Sequence, residues 1–339
     1  MPEFLGSGER MDVSVIIPTF NRALALDDLL GAVRRQSTSV TFEVLVVDNG
    51  STDATREVAE RHAACDARVH YLHERRPGAS NARNTGIAAA TAPILAFLDD
   101  DVRPRHDWVE SVARAFSEHP EVDCIGGRVE PRWPCTPPPW LTQAHWPPLA
   151  LQITRGTAKY LDREHASACL ITANFACRSA VFRDLGGFAP EFRRDEDREF
   201  NLRMWRSGKR GMFVDSVVAA AEIQPERLTK GYHRAWYHVT GASHARLRYL
   251  DTIDRQGRFD AALTANSRVR FGVPAFLYRE FGTHVANWLK NVLMRRWSAA
   301  FFEECRLRYL SSYSMARWRE RLVPADAFDR TDSWRHSPS

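Results

Sequence analysis

The chain contains three consecutive aspartates, Asp99, Asp100 and Asp101, which are candidate ligands for a divalent cation. They follow an apolar run, Ile94–Leu98, which predicts a buried strand. Because adjacent carboxylates repel one another and are costly to bury unpaired, we expect them at the solvent-facing carboxyl end of the strand, where open α/β sheets bind ligands. Carboxylate oxygens suit Mg²⁺ or Mn²⁺, which bridge to a substrate's phosphates. The alternative interpretation is an acidic turn that caps the next helix.

A second acidic cluster, Asp195–Asp197, lies at the start of a predicted helix that Gly208 ends. The helix dipole favours acidic side chains in a first turn. From the residues alone, this cluster is therefore interpreted as a charged helix start.

The first part of the chain, as far as Phe116, alternates between predicted strands and helices, and this framework carries the aspartates. The predicted strands are Val13–Ile17, Phe42–Val47, Val69–Leu72 and Ile94–Leu98, and the clearest helical stripes are Ala23–Arg35, Gly78–Ala90 and Trp108–Phe116. This order predicts a parallel sheet covered on both faces, with the polar strand ends at one edge, where a nucleotide can lie. No glycine-rich dinucleotide fingerprint or P-loop follows the first strand, which weighs against dehydrogenases and P-loop enzymes.

The second half begins with a predicted central strand, Val122–Val129, and continues into a proline-rich stretch, Pro131–Pro148. That stretch holds Trp133, Trp140 and Trp146. Its tryptophans either form a platform for a sugar or attach the loop to the core, and both interpretations remain open. Leu170–Arg178 predicts a further strand, and Phe213–Ala221 predicts an edge strand or a pair of strands.

The positive charge of the chain is concentrated near its C-terminus. The whole chain of 339 residues has a net charge of +5, whereas residues 268–321 contain 11 Lys/Arg and 4 Asp/Glu. Residues 271–318 predict basic amphipathic helices, which can lie on an anionic membrane surface, pack on their own domain or pair with another subunit. We do not expect nucleic acid as a partner, because no binding motif accompanies the basic residues.

Composition and the chain ends set further expectations. A hydrophobic content of 44% and a charged content of 26% are typical of globular proteins. The six cysteines include no C-x-x-C pair, so we expect no zinc site and a reduced, cytoplasmic setting. Residues 1–10 show no signal-peptide pattern and are interpreted as a leader or an expression scar, and residues 329–339 as a disordered tail.

Four motifs in this order resemble the family 2 glycosyltransferases. They are Ser14–Arg22 (SVIIPTFNR), Val46–Asp53 (VVDNGSTD), Gly78–Gly86 (GASNARNTG) and Leu98–Asp101 (LDDD). The resemblance covers about residues 11–245. It implies the α/β GT-A fold, with a Rossmann-like nucleotide-binding sheet and a mixed central sheet. We therefore expect a nucleotide-sugar half at 11–130, an acceptor half at 131–250 and a C-terminal helical extension at 251–328.

The resemblance also implies substrate-binding residues. These are Pro18, Thr19, Asn21, Arg22, Asp48, Asn49, Ser51, Arg83, Asp99 and Asp100. Asp48 would accept a hydrogen bond from the base, commonly uracil, and Arg83 would lie near the diphosphate. Asp101, with Asp99, would hold Mg²⁺ or Mn²⁺. The structural alternatives are a turn-forming aspartate for Asp48 and a solvated helix charge for Arg83.

Glu196-Asp197, with Arg203 downstream, resembles the ED motif of inverting family members, whose carboxylate removes the proton of the acceptor hydroxyl. Asp197 is the predicted base and Glu196 the second candidate. The chain departs from many relatives at Ala221-Glu222, where they carry a histidine ahead of a Pro-Glu-Arg element. We therefore expect no histidine metal ligand from this segment.

Taken together, the sequence predicts an inverting glycosyltransferase that moves a sugar from a nucleoside-diphosphate sugar, with UDP favoured, to a saccharide or lipid-linked hydroxyl acceptor in polysaccharide or glycolipid assembly. It predicts a cytoplasmic protein in peripheral contact with the inner face of the membrane through residues 271–318, and a homodimer. One alternative is a nucleotidyltransferase, whose usual glycine-rich loop is missing after Val13–Ile17. The other is a non-catalytic scaffold that binds sugar nucleotides.

Overall fold

The computed structural model describes residues 11–153, 159–162, 165, 168–192, 194–248, 269–270 and 272–321. The predicted leader at 1–10 and tail at 329–339 lie outside the described residues. The same is true of residues 251–268 and 322–328 of the predicted helical extension.

The described residues form eleven strands and nine α-helices. The strands are β1 Val13–Thr19, β2 Phe42–Asp48, β3 Val69–His73, β4 Ile94–Leu98, β5 Val102–Pro104, β6 Cys124–Arg132, β7 Lys159–Leu161, β8 Asn174–Arg178, β9 Gly211–Glu222, β10 Val269–Arg270 and β11 Val273–Pro274. The helices are α1 Ala23–Arg34, α2 Thr55–Cys65, α3 Ala79–Ala89, α4 Trp108–Glu118, α5 Ser179–Leu185, α6 Glu196–Arg206, α7 Lys230–Arg246, α8 Ala275–Leu293 and α9 Trp297–Arg321.

Nine of these strands form one mixed sheet in the order β3-β2-β1-β4-β8-β6-β9-β5, with β7 also paired to β9. The first four are parallel, and β8 runs antiparallel to both β4 and β6. Every residue of β1 and β2 is buried, because helices cover both faces of a parallel sheet. The predicted fold, a Rossmann-like half continued by a mixed central sheet, is confirmed.

The segment Phe213–Ala221 is neither an edge strand nor a pair of strands but part of one internal strand, so this prediction was wrong. It belongs to β9, which pairs with β6 along one side and with β5 and β7 along the other. β5 and β7 contain three residues each, which is too short for a hydrophobic pattern to reveal them. By contrast, β6 lies between β8 and β9, as predicted for a central strand.

The described chain divides into two compact units. Unit 1 contains the described residues of 11–136 and 149–225, and unit 2 contains those of 137–148, 226–248 and 269–321. All predicted site residues belong to unit 1. The boundaries expected at residues 130, 250 and 328 remain predictions.

Unit 2 is helical, with α7 and α8 both packed against α9. Its core contains Tyr237, Leu277, Phe301, Leu310 and Tyr313. The Trp140 ring makes edge-on contacts with His145, His233 and Phe301, so this tryptophan attaches its loop to unit 2. No helix in the described ranges is both long and apolar enough to cross a bilayer.

Candidate active site

The carboxyl ends of the parallel strands bring the first and fourth motifs together. β1 is central to this half of the sheet, with β2 on one side and β4 on the other. The buried Thr19, which ends β1 after Pro18, donates a hydrogen bond to Asp100 Oδ2 at 2.9 Å. Thr19 also lies opposite Asp48 in the strand register. The polar strand ends therefore meet at one edge of the sheet, as right-handed crossovers require.

Asp48 is a buried carboxylate that organises the loop after β2. Its Oδ1 accepts a hydrogen bond from the Ser51 amide at 2.8 Å, and its Oδ2 accepts one from the Tyr71 hydroxyl at 3.0 Å. Burial and that bond to Asp48 raise the pKa of Tyr71 to about 12. Each carboxylate oxygen can accept more than one hydrogen bond, so Asp48 retains capacity for a ligand N–H group.

Asn21 links the loops that follow β1 and β2. Its amide donates to Ser51 Oγ at 2.9 Å, and its Oδ1 accepts from the Thr52 amide at 2.8 Å. Its backbone has a φ of +53°, a left-handed conformation in which asparagine is tolerated better than most residues. Asn21 therefore shapes the edge of the site through both its backbone N–H and its side-chain oxygen.

Asn49 connects the loop after β2 to the start of α3. Its Oδ1 accepts from the Gly78 amide at 2.7 Å, and its Nδ2 donates to the carbonyls of Glu74 and Arg76. The Glu74 carboxylate in turn accepts from Arg76, and that bond and others lower the pKa of Glu74 to about 2. The asparagine therefore holds the segment that carries the third motif.

Arg83 joins two acidic motifs that are far apart in the sequence. Its Nη2 donates to Asp99 Oδ1 at 2.8 Å, and its Nη1 donates to Glu196 Oε1 at 2.7 Å, while only 4% of the side chain is exposed. Burial alone would lower the pKa of Arg83, but the charges of Asp99 and Glu196 outweigh it and raise the pKa. The solvated-charge interpretation of Arg83 was therefore wrong. The bridge places the acidic end of β4 beside the first turn of α6.

Arg22, in the loop that follows β1, lies close to the same acidic end of β4. Its Nη1 lies 3.6 Å from Asp101 Oδ2, and its guanidinium also contacts the side-chain amide of Gln224. Burial, followed by the charge of Asp101, raises the pKa of Asp100 to about 6. A raised pKa at Asp100 means that the positive charges of Arg22 and Arg83 do not fully neutralise the carboxylates at this strand end.

A divalent cation fits this donor set. No group of three or more His, Cys, Asp and Glu side chains arranged to hold a metal occurs within the described ranges. Mg²⁺ is commonly held by one or two carboxylates together with substrate phosphates and water, so a full protein cage is not needed. The side chains of Asp99 and Asp101 keep exposures of 33% and 13%, respectively, so both carboxylates can be reached by an ion. These two residues would hold Mg²⁺ or Mn²⁺.

Asp197 is in an environment that suits a general base. Its Oδ1 accepts from the Arg198 amide at 2.7 Å, while its Glu196 neighbour is engaged by Arg83. Burial, followed by the charges of Glu196 and Asp195, raises the pKa of Asp197 to about 7. A carboxylate with a pKa near neutrality accepts a proton more readily than an ordinary aspartate does.

Several residues that support the site were not identified from the sequence. Asn84 pairs with both the amide and the carbonyl of Phe188, at 2.8 Å each. Asn201 pairs in the same way with Leu170 at 3.0 Å. Arg203, noted only as part of the motif, donates to Glu199 and to the carbonyls of Leu185 and Gly187. These bonds fix α3 and α6 on the loops beside them, and only a spatial model reveals such long-range partners.

Comparisons with known proteins identify relatives of this chain. The model of the family "Glycosyl transferase family 2" matches residues 14–186. The chain is 33% identical over 238 residues to a pre-mycofactocin glycosyltransferase of Mycobacterium tuberculosis, which is 68% of this chain and 47% of that protein. The chain thus spans about half the length of that relative.

Solved structures show the same fold. The mannosyltransferase PcManGT of Pyrobaculum calidifontis, in complex with GDP-Man and Mn²⁺, superposes with a TM-score of 0.58 at 19% identity, covering 92% of this chain and 88% of that one. S. aureus TarS 1–349, in complex with UDP-GlcNAc, superposes with a TM-score of 0.53 at 16% identity, covering 92% of each chain.

Proposed function

Since this chain belongs to glycosyl transferase family 2, we propose that it is an inverting glycosyltransferase that moves a sugar from a nucleoside-diphosphate sugar to a hydroxyl acceptor. One observation carries the proposal. Arg83 joins Asp99, at the acidic end of β4, to Glu196, at the start of α6. A site for an activated donor and a candidate base for the acceptor are thereby adjacent, which is the arrangement that a direct transfer needs.

The proposed donor is a nucleoside-diphosphate sugar, with UDP favoured. The solved relatives named above hold GDP-Man in one case and UDP-GlcNAc in the other, which supports the class of donor. Asp48 would accept the imide N–H of uracil with its remaining lone pairs, and Thr19, Asn21 and Ser51 would line the same edge. Asp99 would lean towards the ribose.

Asp99 and Asp101 would hold Mg²⁺ or Mn²⁺ at the donor's diphosphate. When bound, such an ion supplies positive charge that offsets the charge growing on the leaving nucleoside diphosphate. Arg22, which lies beside Asp101, adds positive charge on the same side. Arg83 acts by holding Asp99 and Glu196 in place.

In the proposed reaction, Asp197 takes the proton from the acceptor hydroxyl. The hydroxyl oxygen then attacks the anomeric carbon on the face opposite the leaving group, so the configuration inverts without a covalent enzyme intermediate. Glu196 is the second candidate, but its Oε1 is already engaged by Arg83. The raised pKa of Asp197 supports its assignment as the base.

The proposal extends to the acceptor and to the location of the protein. We propose a saccharide or lipid-linked acceptor, as in polysaccharide or glycolipid assembly, and a cytoplasmic protein at the inner face of a membrane. The homodimer expected from the sequence remains a prediction. The basic helices of unit 2 are the support for the membrane location.

The proposal is tested by screening UDP-sugars and GDP-sugars for metal-dependent thermal stabilisation and for release of the nucleoside diphosphate when an acceptor is added. A donor should raise the unfolding midpoint with Mn²⁺ and lose this effect with EDTA. Asp101→Ala should abolish the metal-dependent shift. Asp28→Ala, which removes an exposed carboxylate on α1, should not.

If Asp101→Ala bound the donor as wild type does and EDTA had no effect, the metal role would be wrong. Donor binding without any release of nucleoside diphosphate would support a scaffold instead. Release of pyrophosphate would support a nucleotidyltransferase.

A further inference from the structure

The turn between α8 and α9 presents apolar side chains to solvent. We call residues 288–297 the basic tip. Its most exposed apolar residues are Leu289, Leu293, Met294 and Trp297. Leu293 is 82% exposed and Trp297 59%. Such a cluster of large apolar side chains is uncommon on a surface that only water contacts.

The charges on the basic tip all have one sign. Lys290, Arg295 and Arg296 are exposed, and no aspartate or glutamate occurs between Glu280 and Glu303. Glu303 is itself hydrogen bonded to His284. Within the described residues, no ion pair joins the three cations to an acid. Apolar and cationic side chains are therefore interleaved on one small surface.

The backbone of the basic tip is already ordered by its own hydrogen bonds. The amides of Met294, Arg295 and Arg296 donate to the carbonyls of Lys290, Val292 and Asn291 at 2.8–3.0 Å. Within unit 2, Ser298 Oγ donates to the Trp140 carbonyl at 2.8 Å, directly after the tip. Little conformational entropy remains to be lost when a partner binds this turn.

We infer that the basic tip docks on a membrane surface rich in anionic phospholipid. The apolar residues enter the boundary between headgroups and acyl chains, where tryptophan is favoured, and the cations pair with lipid phosphates. This narrows the contact predicted for residues 271–318 to one turn. It is independent of the reaction proposed for unit 1.

A second copy of the chain is a less suitable occupant. A twofold contact places the same surface on both partners, so the cations Lys290, Arg295 and Arg296 of one copy would face those of the other. Like charges brought together across an interface are costly. An anionic surface complements the cations and the apolar residues together.

The test is co-sedimentation of the full chain with vesicles of phosphatidylcholine alone or with added phosphatidylglycerol, at low and at high ionic strength, without donor or acceptor. We expect binding to the anionic vesicles, weakened by salt, and little binding to the neutral ones. Equal binding to both compositions would overturn the electrostatic part of the inference. Donor binding and transfer are not measured, so this result and the fate of the proposed reaction are separable.

Two pairs of variants locate the contact. Arg295→Glu with Arg296→Glu should reduce binding to anionic vesicles by about tenfold or more. Arg56→Glu with Arg61→Glu, the same change of charge on α2, should have a much smaller effect. Leu293→Ser with Trp297→Ser should also weaken binding, whereas Met315→Ser with Trp318→Ser, on exposed α9 positions, should not.

Unchanged thermal unfolding of each variant would show that it is folded. If the basic-tip variants bound vesicles as wild type does, the inference would be wrong. If wild type ignored both vesicles and formed a dimer that Leu293→Ser with Trp297→Ser dissociated, the occupant would be a second copy instead.

Discussion

The candidate active site of unit 1 and the basic tip of unit 2 use charge in opposite ways. In the site, Arg83 is buried between Asp99 and Glu196, Arg22 faces Asp101, and Thr19 donates to Asp100. In the basic tip, Arg295 and Arg296 are exposed, and no acid occurs between Glu280 and Glu303. The site is therefore organised before a ligand arrives, whereas the charges of the basic tip become favourable only when an external surface supplies the counter-charge.

The largest expected effect is on transfer by Asp197→Asn. Loss of a general base lowers rates by about 10²- to 10⁴-fold, and asparagine cannot accept the proton. Donor binding should persist, because Asp197 is not among the residues proposed to hold the donor. The measurement is the rate of nucleoside diphosphate release with acceptor at saturating donor. Near-normal turnover would move the assignment to Glu196.

The next effect concerns the stability of the buried bridge. Arg83→Met leaves Asp99 and Glu196 without their shared cation, and should lower the free energy of unfolding by about 3 kcal/mol, at the lower end for buried pairs because Asp99 is partly exposed. Arg56→Met, which breaks the exposed pair with Glu60, should lower the free energy of unfolding far less, because water screens that pair. Denaturant unfolding measures both, and equal losses would remove the contrast between buried and exposed charge.

A smaller effect is the pH dependence of stability that Asp197 causes. Its pKa is raised from the ordinary 3.8 to about 7, so between these values the folded state keeps a proton that the unfolded state has lost. Stability therefore falls as pH rises through this window. Asp197→Asn should remove that loss, so that its free energy of unfolding exceeds that of wild type by about 1–2 kcal/mol above pH 7.

The pH test compares denaturant unfolding of the two proteins near pH 4 and pH 8. The difference in the free energy of unfolding should disappear near pH 4, because Asp197 of the folded wild type is protonated there. Asp28→Asn, at an exposed carboxylate, is the control and should show no comparable gain. A gain that did not depend on pH would count against a raised pKa at Asp197.

The smallest expected effect is on the stability of the basic tip. Arg295→Glu with Arg296→Glu should change the free energy of unfolding by less than about 0.5 kcal/mol, since neither side chain is buried. The same variant should lose vesicle binding, so function and stability separate here but not at Arg83. A large destabilisation would show that these arginines stabilise the fold.

The parts of the fold with a strong local signal could be predicted from the sequence. The runs at Val13–Ile17 and Ile94–Leu98 mark β1 and β4, because a buried parallel strand is apolar throughout. The spacing of Leu26, Leu29, Leu30 and Val33 marks α1, because these residues share one helix face. The three-residue strands β5 and β7 carry no such signal, so the internal position of β9 was missed.

The amino-acid sequence was enough to predict that carboxylates follow a buried strand at the edge where parallel strands end. It was also enough to recognise the motifs of family 2 glycosyltransferases. The bridge from Asp99 through Arg83 to Glu196, which lies 113 positions after Arg83, could be found only in the folded protein. Local periodicity is set by neighbours along the chain, whereas a buried ion pair depends on which elements the folded sheet brings together. The same reason explains why exposure of the basic tip could be read only from the packed helices.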